Sequence, residues 1–307
     1  MRWPWWARKP KLGVVLSGGG TRGAFEVGVI DVFARHGIVP DVLIGTSVGA
    51  INAAFWALHP AADVGPQLLD FWLKSNRSTI LPDGPLPMVG RLFQRRDHLT
   101  TQAGLLRALR AAIPESMCLE DAAIPLAVTS TDAQRGERVV MRRGPMLTAL
   151  LASAAIPGVW PPVEIGGRHL VDGGLVANCD LESAIEAGMT DVIAVDVMSA
   201  AVRKTRMDVR GIVERTVEIA LRRQSDMTAL ALTGGARLAM LRRGAGYSPG
   251  FADLRQTIEL FREGQSAASA FVAAHLGPRR SVRPGRFESE PPTSGATVTP
   301  EPEAISA

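Results

Sequence analysis

Residues 41–49 read Asp41-Val42-Leu43-Ile44-Gly45-Thr46-Ser47-Val48-Gly49, and an apolar stretch runs on from Ala50 to Leu58. The short apolar run before Gly45 predicts a buried strand over 41–45. Ser47–Leu58 predicts a buried helix. Between them Gly45, Ser47 and Gly49 spell G-x-S-x-G, the pattern of a sharp strand-to-helix turn that lifts a serine hydroxyl over a helix N-terminus. The free N–H groups and dipole of such a terminus favour developing negative charge. The plainer reading is a glycine-bounded turn with a capping serine. Val42–Ala62 also lacks Asp, Glu, Lys and Arg throughout, which is long enough to span a bilayer. Gly45, Ser47, Gly49, Asn52, His59 and Pro60 argue for strand, turn and helix instead.

The flanking sequence extends the alternation. Residues 12–17 and 191–197 are short apolar runs that predict buried strands, and 125–132, 137–142, 163–165 and 169–171 predict further strands. Helical periodicity covers 23–37, where Phe25, Val29, Val32 and Phe33 share a face. It also covers 65–74, 102–112, 146–155, 180–187, 208–233 and 254–274. Strands alternating with helices predict an α/β layered sheet.

The 307 residues are 46% hydrophobic and 21% charged, an ordinary globular composition. Two cysteines, Cys118 and Cys179, are too few for a disulfide framework or a cysteine zinc cage, though they could form one bridge. Net charge is +4, and Arg2, Arg8, Lys9 and Lys11 supply all of it. That excludes a broad nucleic-acid footprint. The long helix carries Arg210, Arg215, Arg222 and Arg223 among Asp208, Glu214 and Glu218, which predicts a solvated face.

Residues 1–10 are expected as a mobile arm, 11–277 as one domain, and 278–307, rich in Pro, Ser and Thr, as a disordered tail. Trp3, Trp5 and Trp6 beside the basic residues would suit a membrane interface. The loop 78–97 is a candidate lid or acyl-chain wall. With no apolar run behind the N-terminal charges, the expected location is cytoplasmic, with peripheral membrane contact as an added expectation.

Two further motifs carry chemistry. Ser17-Gly18-Gly19-Gly20-Thr21-Arg22-Gly23 follows the first strand, and three glycines let backbone N–H groups converge on an anion. The string also fits G-x-G-x-x-G, but Asp41, the acid near the required spacing, stands at the wrong end of its strand for a dinucleotide. No Gly-Lys-Ser/Thr follows, so a Walker A loop is excluded. The other motif is Val171-Asp172-Gly173-Gly174, a carboxylate just past a strand, or a plain turn aspartate. His36, His59, His98, His169 and His275 lie in no motif-like setting, so a Ser47–Asp172 pair is the simplest scheme.

Taken in order, GGGTRG, GTSVG and DGG resemble the patatin-like phospholipases, and Ala152-Ser153-Ala154-Ala155-Ile156-Pro157 resembles that family's Ala-Ser-x-Ala-x-Pro segment. The resemblance covers roughly residues 11–275 and implies a three-layer α/β/α sandwich around a mostly parallel sheet. It implies lipid acyl hydrolysis with neither metal nor organic cofactor: Ser47 as nucleophile, Asp172 as base, and Gly18, Gly19 and Gly20 as the oxyanion loop. Arg22 occupies the family's basic position and is read either as a substrate contact or as a structural ion pair. The expected partner is a lipid or other acyl ester. A general carboxylesterase or thioesterase, and a non-enzymatic regulatory protein keeping the fold, are the alternatives. Because a free aspartate near 3.9 is a poor base toward serine, burial is expected to raise Asp172.

Overall fold

Among the described residues, nine strands form one sheet. They are β1 (Leu12–Leu16), β2 (Val42–Thr46), β3 (Leu126–Asp132), β4 (Glu137–Met141), β5 (Val163–Ile165), β6 (Arg168–Asp172), β7 (Asp191–Asp196), β8 (Arg237–Arg242) and β9 (Gly285–Glu288). The helices are α1 (Gly23–Arg35), α2 (Val48–Leu58), α3 (Val64–Lys74), α4 (Ala103–Arg110), α5 (Met146–Ser153), α6 (Gly174–Ala177), α7 (Leu181–Glu186), α8 (Val209–Ala231) and α9 (Thr257–His275). The computed structural model describes residues 11–75, 98–198, 209–231, 236–244, 254–276 and 282–289. The expected arm (1–10) and candidate lid (78–97) lie outside them.

The sheet runs β5-β6-β3-β2-β1-β7-β8-β9, with β4 also paired to β3. β3, β2, β1, β7, β8 and β9 are parallel; β4, β5 and β6 join antiparallel. Alternation along the strands sends side chains to two apolar layers. Val14, Leu16 and Leu43 pack with α1, α2 and α9 on one face. Val15, Val42 and Ile44 pack with α7 and Ala229 of α8 on the other. The fold is therefore an α/β/α sandwich around a mostly parallel sheet, as expected. On the first face, α1 and α9 approach so closely that a Cβ on Gly28 would lie 2.0 Å from the Phe261 carbonyl oxygen.

The sequence expectation missed two strands. β8 reads Arg-Leu-Ala-Met-Leu-Arg, an apolar core too short between two charges to signal a strand. Its register supplies the reason for the charges: Asp191 lies opposite Arg237 and Asp196 opposite Arg242. The first pair closes at 2.8 Å and the second at 2.9 Å. β9 falls inside the stretch expected as a disordered tail. That expectation is corrected over residues 282–289, where backbone pairing to β8 orders a polar segment that has few apolar residues to bury. Val282 N–H also donates to Asp191 Oδ1 at 3.2 Å. Both cysteines are free thiols.

Candidate active site

The register of β3 brings Ser47 and Asp172 together. A strand has two edges for pairing. β4 holds one edge along Val128–Asp132. β2 holds the other as far as Thr46 opposite Thr129. β6 then takes over that second edge, with Asp172 opposite Ser130. The residue that leaves β2 and the last residue of β6 therefore meet at a seam between two strands.

Ser47 occupies a strained turn at this seam. Its φ is 55° and ψ is −122°, and it is the one non-glycine residue with positive φ among those described. Such a conformation costs on the order of 1–3 kcal/mol and persists only where the surroundings enforce it. They do so here. A Cβ on Gly49 would lie 2.4 Å from the Leu16 carbonyl oxygen, so only glycine lets α2 start this close to β1. Ser153 holds the backbone: its Oγ donates to the Thr129 carbonyl at 2.6 Å and accepts the Ser47 N–H at 2.8 Å. The hydroxyl thus continues the ladder that β2 leaves. Two residues on, the Ala155 carbonyl accepts the Asp172 N–H at 2.9 Å. The segment 153–155 therefore grips both partners, a role its sequence did not reveal.

Ser47 Oγ donates to Asp172 Oδ2 at 2.6 Å, and Asp172 Oδ1 accepts the Gly174 N–H at 2.8 Å. Burial pushes the Asp172 carboxyl up from its usual 3.8 to about 6, against the pull of these two hydrogen bonds. The placed histidine contacts lie elsewhere: His36 Nδ1 is 2.8 Å from the Val32 carbonyl, and His275 Nδ1 is 3.0 Å from that of Arg283. His169 is exposed on β6.

The glycine loop lies against the serine, since a Cβ on Gly18 would come 3.3 Å from Ser47 Cβ. Gly18 N–H is committed to the Asn178 carbonyl at 3.0 Å. Asn178 Nδ2 in turn donates to the Gly18 carbonyl at 3.3 Å. Among the described residues no acceptor takes the N–H of Gly19 or Gly20, nor that of Val48 at the start of α2. Of the three expected donors, then, Gly18 serves the loop's own fixation. Arg22 is buried and ion-paired with Glu218 of α8, so the structural reading of that residue is the one the geometry supports. Sequence reasoning missed Asn178 and Glu218; the contacts of both span long separations in the chain.

Beneath the loop, Glu26 is fully buried and its carboxyl is held well above the usual range by burial. Asn52 Nδ2 donates to it at 2.8 Å, and Trp72 Nε1 orients Asn52 through Oδ1 at 2.9 Å. Among the described residues no cluster of His, Cys, Asp and Glu could hold a metal ion, and no helix is long and apolar enough to cross a membrane.

The family model described as patatin-like phospholipase matches residues 14–185. An uncharacterized NTE family protein of Mycobacterium tuberculosis is 34% identical over 175 residues, covering 54% of this chain and 43% of the relative. Patatin-like phospholipase domain-containing protein 6 of Mus musculus is 28% identical over 190 residues, covering 61% of this chain and 14% of the relative. The chain thus spans less than half the length of either. Among solved structures it is similar to VipD from Legionella pneumophila, with 14% identity and a TM-score of 0.46 over 88% of this chain and 68% of that one.

Proposed function

The chain belongs to the patatin-like phospholipase family, and from that premise we propose that it is a serine hydrolase of lipid acyl esters working through Ser47 and Asp172. The observation that carries the reading is the 2.6 Å hydrogen bond from a strained serine to a buried carboxylate. A carboxylate raised to about 6 is a stronger base than a solvated one, and is still ionised at neutral pH.

The steps follow from the contacts. Asp172 Oδ2 takes the Ser47 hydroxyl proton as Oγ bonds to the ester carbonyl carbon. The carbonyl π pair moves onto oxygen, and the N–H groups of Gly19, Gly20 and Val48 are the donors suited to hold that charge. One such donor is worth about 100–1000-fold in rate. The pair then returns, the alcohol leaves with the proton from Asp172, and Ser47 keeps the acyl group. Water gives its proton to Asp172 and attacks the acyl carbon. Ser47 Oγ departs, recovers the proton, and the free acid is released. Gly18, through Asn178, keeps the loop in register, and no metal or organic cofactor is required by these steps.

The lipid character of the substrate rests on family membership, and the residues proposed as the catalytic unit are 11–289. Hydrolysis of p-nitrophenyl esters and of phosphatidylcholine vesicles, with wild type beside Ser47→Ala and Asp172→Asn, tests the proposal. Turnover lost in both variants supports the pair. A preference for soluble esters over vesicles points to a general esterase. No turnover and no fluorophosphonate labelling of the wild type contradicts the hydrolase reading and favours a regulatory protein.

A further inference from the structure

The described charges of the long helix α8 are largely drawn inward rather than forming the solvated face that its sequence suggests; Asp208 and the side chains of Arg210 and Glu214 lie outside the described part. Glu218 and Asp226 are turned toward the protein. Glu218 pairs with the buried Arg22 of the glycine loop. Asp226 pairs with the buried Arg242 of β8 at 2.8 Å. Arg215 and Arg222 are half-buried alongside, within 3.3 Å of Glu218 and 3.9 Å of Asp226 respectively. The outward positions include Ile212, Val213, Val217, Ile219 and Met227, all between 41% and 56% exposed. Thr216 and Arg223 are exposed among them. At the rise of an α-helix, this apolar strip from Ile212 to Met227 extends over about 22 Å. Exposed apolar surface of that extent on a globular domain marks an interaction site.

The same helix is fastened to both halves of the candidate site. Glu218 holds the glycine loop through Arg22. One turn and a half further on, Gln224 Oε1 accepts the Asn178 N–H at 2.7 Å, and its Nε2 donates to the Leu175 carbonyl at 3.0 Å. Leu175, three residues past Asp172, is itself 56% exposed, so the apolar surface continues from α8 to the turn that carries the carboxylate. We infer that the outer face of α8, with Leu175, docks the protein on an anionic lipid surface. The inference rests on the lipid-hydrolase reading for its choice of partner. Charge agrees with it: Glu218 and Asp226 are neutralised from inside, and Arg223 faces outward, where it can meet headgroup phosphates. Apolar side chains with a basic residue are the composition of an interfacial helix.

Docking on this face would set the seam of Ser47 and Asp172 beside the headgroup layer and shorten the path of an extracted acyl chain. The test uses the full chain with vesicles of equal parts phosphatidylcholine and phosphatidylglycerol, read by sedimentation. The double variant Val217→Glu/Met227→Glu places charges on the strip, and Leu73→Glu places one on an equally exposed position of α3. The expected result is about tenfold or greater loss of vesicle binding in the double variant, wild-type binding in Leu73→Glu, and unchanged hydrolysis of a soluble short-chain ester, which also reports that the variant is folded. Unchanged vesicle binding in the double variant overturns the inference. So does a wild type that is dimeric without lipid while the double variant is monomeric, which would make the strip an interface between copies of this chain. Vesicle binding without ester turnover in the wild type would contradict the hydrolase reading while supporting the surface.

Discussion

Asp172 and Asp196 are each the last residue of a strand, each buried, and each raised by burial, yet their surroundings differ in one respect. Asp196 receives a guanidinium: Arg242 Nη2 and Nε reach Oδ2 at 2.9 and 3.2 Å. Among the described residues, the Asp172 carboxylate receives a serine hydroxyl and a backbone N–H and no cation. A carboxylate oxygen already occupied by a guanidinium is not free to take a hydroxyl proton from a nucleophile, and this one serves to fix β7 against β8. A carboxylate held by weak donors in a dry seam keeps its affinity for a proton. The comparison separates a structural aspartate from the one proposed as the base by partner, where burial alone would not.

Breaking the proposed catalytic pair should have the largest effect. Ser47→Ala and Asp172→Asn are each expected to lower kcat about ten-thousand-fold or more, in steady-state ester hydrolysis. The structural pair should respond in stability instead. Arg242→Met leaves Asp196 buried without its cation, and urea unfolding is expected to show a loss of about 3–5 kcal/mol. Ester turnover per folded molecule should stay near wild type.

Asp172→Asn should also stabilise the fold. Because the folded carboxyl is raised to about 6, ionising it costs stability that begins to accrue above the unfolded value near 3.8 and is complete above about 6. The asparagine variant escapes that cost. It is expected to gain on the order of 1–3 kcal/mol at pH 8 and nothing at pH 3, read by urea melts at both. A variant no more stable than wild type at pH 8 would mean that Asp172 is not held in a dry setting.

Ser153→Ala sharpens the comparison from the positioning side. It strands the Ser47 N–H and the Thr129 carbonyl, and kcat is expected to fall about 10–100-fold, corresponding to 1–3 kcal/mol. KM should change little, and Ser153→Thr should restore part of the rate if its hydroxyl reaches the same two groups. A loss seen in stability alone would make Ser153 a packing residue.

Much of this was legible in the residues. The apolar runs before Gly18 and Gly45 and the glycines around Ser47 mark strand, turn and helix because burial and crowding leave little else that fits. The pairing of Ser47 with Asp172 was nameable from the motifs, but not from spacing: it arises where β6 replaces β2 along β3. β8 was hidden because Arg237 and Arg242 flank a four-residue apolar core, and their aspartate partners lie 46 residues away in the chain. β9 was hidden because its ordering comes from backbone pairing. The α8 strip was misread for a related reason. Its charges look like a surface pattern, but Glu218 and Asp226 point to buried arginines that local sequence does not reveal.

The most direct test of the account is the rate at which a fluorophosphonate phosphonylates Ser47 as a function of pH, in wild type and Asp172→Asn. The account expects the wild-type rate to fall below an apparent pKa of about 6, as Asp172 gains its proton. The asparagine variant should label far more slowly, with no inflection there. Labelling of Asp172→Asn at the wild-type rate would contradict the assignment of Asp172 as the base.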